Sequence, residues 1–294
     1  VTIRWRRVEA QVSVLLCTLG LLGGAALLAL HDSVRPADPP SAAAMDSTSP
    51  SPAASFAPLA DPSRVRVSVP GFFSWAMLDR RTGAIVGSRN LTATSDTMSM
   101  VKVWLASDYL THTNPRPDQA MLADLRRMIV DSDNDVATRV FGLNGGISTI
   151  ERMVSVCHLT ESAPNYKENR WSPTIVSARD VVRLGQCIAT GVAAGPQWTP
   201  WLLTQMRQVR GEGDFGPRLA FPAAQRTQIA IKNGWFLRPE DRQWHMACLA
   251  VAPRWVMSVL LRYPQNLGVG YGEKACRQVA TQLFGTTASA SPAP

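Results

Sequence analysis

The stretch Ser95-Asp-Thr-Met-Ser-Met-Val-Lys-Val-Trp-Leu-Ala-Ser-Asp-Tyr-Leu110 decides how the rest of the chain is read. Met98, Val101, Leu105 and Leu110 recur near helical spacing, and Ser95 or Asp96 can cap the start, so the pattern predicts a helix opening there. Ser99 then lies in the first turn, with Lys102 three residues on and on the same face. The positive end of a helix favours a developing alkoxide, and a partly desolvated lysine readily takes a serine proton. Of the 30 basic residues only Lys102, Lys167, Lys232 and Lys274 are lysines. Arginine stays charged and cannot shuttle protons, so a lysine set among Val101, Val103 and Trp104 points to chemistry rather than to an exposed charge.

Upstream, residues 1–11 carry Arg4, Arg6 and Arg7, and Val12 to Leu30 contain no charge. A run of that length crosses a bilayer as a helix, and arginines before it keep the N-terminus inside. Residues 12–30 are therefore expected to anchor the chain in the plasma membrane with everything after them extracytoplasmic. The alternative is a cleaved signal, with Ala26 and Ala29 available to a peptidase. Cys17 follows Leu16, which does not fit a lipoprotein site. Residues 31–64, rich in Pro, Ala, Ser and Asp, read as a disordered spacer, and 286–294 as a tail. Residues 65–285 suit one compact domain. The net charge of +8 is scattered arginine without a basic-aromatic motif, which excludes a nucleic-acid reader.

Within the domain, Phe72–Leu78 and Ala84–Gly87 read as a hairpin. Helices are expected over Asp118–Val130, along Ile147, Ile150, Val154 and Cys157, from a capping box at Ser177 to Ile188, and over Trp198–Val209. Strands follow at Thr227–Phe236, Trp244–Val251 and Trp255–Tyr263, then a helix over Gly272–Phe284. Strands at both ends around a helical middle predict an α+β fold: one antiparallel sheet completed by N- and C-terminal strands, beside a helical lobe.

Two more short motifs complete a set. Ser132-Asp133-Asn134 follows the Asp118–Val130 helix, and Lys232-Asn233-Gly234 lies on the first late strand, where a glycine admits a close-lying backbone. Ser99-x-x-Lys102, Ser132-Asp133-Asn134 and Lys232-Asn233-Gly234 together resemble the signature of class A β-lactamases and penicillin-binding proteins (DD-peptidases). The resemblance implies an acylated Ser99, Lys102 as its proton acceptor, and Ser132 relaying a proton to the leaving nitrogen. It further implies Asn134 on the substrate amide, Lys232 on the substrate carboxylate, and Gly234 beside the binding edge. Backbone N–H groups of Ser99 and Phe236 would form the oxyanion hole. Asn233 stands where threonine is usual and offers an amide to the carboxylate. Glu161-Ser-Ala-Pro-Asn165 imitates the loop that carries the deacylating glutamate, which makes Glu161 a candidate base, with Glu168 a worse-placed second carboxylate.

Outside the apolar run four cysteines allow three pairings. Cys157–Cys187 and Cys248–Cys276 are preferred because each joins elements expected to pack together. No metal-ligand spacing and no phosphate loop appears, so no cofactor is expected. The substrates implied are β-lactams or D-Ala-D-Ala-type peptidoglycan peptides. The alternatives are a DD-peptidase that stays acylated, and an inactive cell-wall peptide-binding protein on the same fold.

Overall fold

A computed structural model describes residues 59–285. The expected anchor at 12–30, Cys17, most of the spacer and the 286–294 tail lie outside the described residues. Among the described residues no helix is long and apolar enough to cross a membrane.

The strands are β1 (Phe72–Asp79), β2 (Ile85–Gly87), β3 (Thr94–Asp96), β4 (Ile175–Ser177), β5 (Ala230–Arg238), β6 (Gln243–Val251) and β7 (Trp255–Pro264). The helices are α1 (Lys102–Asp108), α2 (Gln119–Val130), α3 (Asn134–Leu143), α4 (Ile147–Val156), α5 (Ala178–Ala189), α6 (Gly195–Arg207), α7 (Ala223–Arg226) and α8 (Val269–Phe284). Five strands form one antiparallel sheet in the order β2-β1-β7-β6-β5, so N-terminal and C-terminal strands share it as the α+β reading expects. β3 and β4 make a separate two-stranded ribbon.

Strand alternation gives the sheet two apolar faces. α5 lies on one: Gly185 sits so close to Val256, Leu249 and Val251 that a Cβ there would be 2.4 Å from Val256. α8 lies on the other, with Gly272 against Tyr263 and Met246. The bridge Cys248–Cys276 ties β6 to α8, and Cys157–Cys187 ties the end of α4 to α5. Residues 59–64, counted with the spacer on composition, pack against α8, and the Arg66 N–H donates to Gln282 Oε1 at 2.6 Å.

α1 is the centre of the helical lobe. Every residue from Lys102 to Asp108 is buried, and α2, α3, α4 and α6 pack around it. It is not the amphipathic helix that the spacing suggested, and neither Ser95 nor Asp96 caps it. Both belong to β3, and a 3-10 turn over Met98–Val101 precedes the helix. β3 forms because it has a partner in β4, which local periodicity cannot reveal. Asp96 is then free to accept from Arg238 Nε at 3.0 Å and to meet His245 Nδ1 at 2.9 Å, which fixes the ribbon to β5 and β6. α3 was not expected from the sequence, and several other elements differ at their ends. α6 starts at Gly195, β5 at Ala230 after the short α7, and α8 at Val269.

Candidate active site

Ser99 sits on the 3-10 turn rather than inside a regular helix, and the residue before it, Met98, has a φ of 46°. A positive φ costs a non-glycine residue energy and persists only where the surroundings enforce it. The enforcing neighbour is β5. A Cβ on Gly234 would lie 2.4 Å from Thr97 O, 2.5 Å from Ser99 N and 2.7 Å from Met100 N. Gly234 thus admits the Ser99 turn itself against the strand; the backbone expected there from the sequence was a ligand's.

Lys102 and Lys232 are both fully buried and converge on Ser132. Lys102 Nζ donates to Ser132 O at 2.6 Å and Asn134 Oδ1 at 2.6 Å, and lies 3.3 Å from Ser132 Oγ. Lys232 Nζ lies 2.9 Å from Ser132 Oγ and 3.2 Å from Asn233 O. Ser132 is itself held at a φ of 60°. Asp133 fixes its exit by capping α3 through the N–H groups of Asp135 and Val136. Burial pushes the Lys102 ammonium down to about 7, with Asp133 opposing the change. Burial and then the charge of Lys102 push Lys232 well below its ordinary value. One hydroxyl between two amines that resist protonation can pass a proton either way.

Ser99, Asn134, Trp235 and Phe236 line both halves of the adjoining cleft. A half of about 240 Å³ adds Met98, Arg170, Trp171, Ser172 and Arg238. The other, about 560 Å³, adds Ser132, Asp131, Arg210 and Gly211–Gly213. A depression of similar size between residues 59–64 and α8 is lined by Phe221, Leu283 and Phe284 and holds no nucleophile.

Four expectations are revised by the geometry. The first is the strand donor of the oxyanion hole. Trp75 O faces β2, where it accepts from Ser88 N, and alternation carried across the register turns Phe236 into the β6 ladder. Asn233 and Trp235 therefore present their backbone groups to the free edge, as the contact of Asn233 O with Lys232 Nζ requires. The N–H beside Ser99 belongs to Trp235, while Phe236 contributes an exposed ring to the cleft.

The second is Asn233. Its Nδ2 donates to Gly213 O at 3.0 Å and Phe215 O at 2.9 Å, so the amide anchors the 211–215 turn instead of facing a substrate. The third is Lys232, which is covered by Ser132 and the strand and offers no surface to a carboxylate.

The fourth is Glu161. Its carboxylate is gripped by Arg179, whose Nε donates at 3.1 Å, and accepts from Thr160 Oγ1 at 2.6 Å and Ser177 Oγ at 3.0 Å. These partners, Arg179 foremost, hold its pKa down to about 2, so it is a poor base as well as an occupied one. Glu168 is bound by Arg170 and Arg238. The sequence reading missed what stands over Lys102 instead: the Trp171 ring, with its centroid 4.8 Å from Nζ. Asp180, the third residue of α5 and expected only as the partner of Ser177 in the capping box, also fixes the loop: its carboxylate accepts from the N–H groups of Thr160 and Glu161 and from Ser162 Oγ.

The chain has the β-lactamase/DD-peptidase fold. Among solved structures it is similar to a β-lactamase from Burkholderia vietnamiensis, with a TM-score of 0.60 at 17% identity over 76% of this chain and 93% of that one. A β-lactamase from Xanthomonas campestris pv. campestris gives 0.59 at 16% identity, covering 74% and 93%. The structure of PBP-A gives 0.56 at 16%, covering 72% and 88%. No protein-family model matches the chain. Among curated proteins it is 26% identical over 197 residues to "Putative lipoprotein LppW" of Mycobacterium tuberculosis and of Mycobacterium bovis, over 63% of this chain. The chain spans 62% of the length of those relatives.

Proposed function

We propose that this protein is an extracytoplasmic serine hydrolase that forms an acyl-Ser99 ester with β-lactams or with D-Ala-D-Ala-type peptides and releases it slowly. The observation that carries the reading is the buried Lys102–Ser132–Lys232 chain ending at the cleft that Ser99 lines. Neutral Lys102 takes the Ser99 proton as Oγ attacks the carbonyl carbon. The oxyanion is received by the N–H groups of Ser99 and Trp235. As the C–N bond breaks, Ser132 gives its proton to the leaving nitrogen and is reprotonated from the lysine.

Slow release follows from the engaged carboxylates. Hydrolysis of the ester needs a base within hydrogen-bond reach of the attacking water, and both loop glutamates are held by arginines. Trp171 covers Lys102 in their stead. Two disulfides support an oxidising compartment, and the name of the curated relatives supports attachment to the envelope. A second reading, a wall peptide-binding protein without turnover, is favoured by one observation: Lys102 is already held by Ser132 and Asn134, and among the described residues the Ser99 hydroxyl has no hydrogen-bond partner.

The test is incubation with a chromogenic β-lactam while intact mass and colour are followed. A persistent adduct that Ser99→Ala abolishes is the expected result. Rapid multiple turnover removes the slow-release part, and no adduct at all leaves the binding protein.

A further inference from the structure

The half of the cleft that contains Ser132 receives the leaving group, because Ser132 protonates the departing nitrogen; this assignment rests on the Ser99 acylation proposed above. Among the described residues, nothing in that half is arranged to hold a carboxylate. Asn233, at the position from which a hydroxyl would be offered, has both amide hydrogens on the carbonyls of Gly213 and Phe215. Lys232 is sealed beneath Ser132 and the strand. Among the described residues Arg210 is the one remaining cation on the lining, and its guanidinium is bidentate on Asp131, Nε to Oδ1 at 2.7 Å and a terminal nitrogen to Oδ2 at 3.2 Å. Glu212, on the same lining, forms no salt bridge among the described residues and adds a negative charge. Asp131, Arg210 and Glu212 together give this wall a net charge of −1, counted from those three side chains.

Like charges brought together in a partly enclosed site are strongly disfavoured, and specificity often resides in such repulsion. We infer that the protein, while still acylated by the carboxylate-bearing donors proposed above, favours acyl donors whose leaving group lacks a free carboxylate, such as an internal peptide bond or an amidated terminus, over donors ending in a free C-terminal carboxylate. The Ser99 Oγ–acyl bond forms and the carbonyl C–N bond breaks. The leaving nitrogen departs with the proton relayed through Lys102 and Ser132.

The test compares benzylpenicillin with its methyl ester, in which that charge is removed and one methyl group is added. Acylation of the full chain is followed by intact mass, and equilibrium binding of both compounds to Ser99→Ala by calorimetry. The ester is expected to exceed the acid by about tenfold in acylation rate and in affinity. Asp131→Asn, which frees Arg210, and Glu212→Gln should each narrow that gap. An acid that acylates as fast as the ester or faster, or a gap that neither variant moves, overturns the inference. If neither compound acylates but the ester binds Ser99→Ala more tightly, the acylation reading fails and the charge preference stands. If neither acylates and both bind alike, both fail.

Discussion

Gly234→Ala tests how the nucleophile is positioned. The new methyl would meet three backbone atoms of the Ser99 turn at 2.4, 2.5 and 2.7 Å, and none of these is the yielding end of a side chain. Restoring an ordinary 3.4 Å contact with Thr97 O requires about 1 Å of movement by β5 or by the turn. Overpacking of that kind costs about 1–3 kcal/mol, a fall in Tm of roughly 3–10 °C for a domain of this size. The same displacement separates Ser99 N from the Trp235 N–H with which it would share an oxyanion, and a shift of about 1 Å costs on the order of 10²-fold in rate. Gly185→Ala is the control, since its Cβ would press on Val256 and Leu249 beneath α5, away from the cleft. Both variants should melt early in calorimetry, but only Gly234→Ala should lose β-lactam acylation measured by intact mass. A Gly234→Ala protein that acylates within threefold of the parent would refute the argument that glycine is needed to seat the turn.

Acylation should rise as pH increases through about 7, where Lys102 becomes neutral, and Lys102→Met should abolish that rise in a pH–rate profile. The folded-state pKa of Lys102 lies below its unfolded value of 10.5, so the unfolded chain binds the extra proton between pH 7 and 10.5. Stability therefore increases with pH across that window, and the advantage of Lys102→Met in urea titrations should be largest below pH 7 and shrink toward pH 10.5. Glu161→Ala should leave the lifetime of the adduct unchanged while costing about 1–3 kcal/mol at neutral pH, read from the same titrations. Because the folded pKa of Glu161 is lowered from 4.5 to about 2, its contribution is fully present above 4.5 and is lost as pH falls through 2. Removing either disulfide by paired Cys→Ala changes should cost about 3–4 kcal/mol, given loops of 30 and 28 residues.

What was legible in the sequence is what short stretches encode. The three motifs could be read because each places its side chains by local geometry, and the hairpin and the long amphipathic helices followed from period and caps. Thr94–Asp96 could not be read as strand, because its partner Ile175–Ser177 lies far along the chain. Whether Trp235 or Phe236 turns its N–H to the cleft depends on parity counted through four strands, which no window of sequence contains. Glu161 looked available because loop carboxylates usually are. Arg179 takes it once β4 and α5 bring the two together. Asn233 resembled a substrate contact only while the 211–215 turn was absent from view.

The pairing of β1 with β7 also governs how the molecule can be made. Phe72 aligns with Arg262 and Asp79 with Trp255, so the leading hairpin must wait, one edge bare, until β7 has been synthesised. Contacts of such long reach form late and leave strands open to sticking or to proteolytic attack in the interval. Truncating the last two elements would remove the partner on which the first strand closes, and quality control would meet an unfinished sheet.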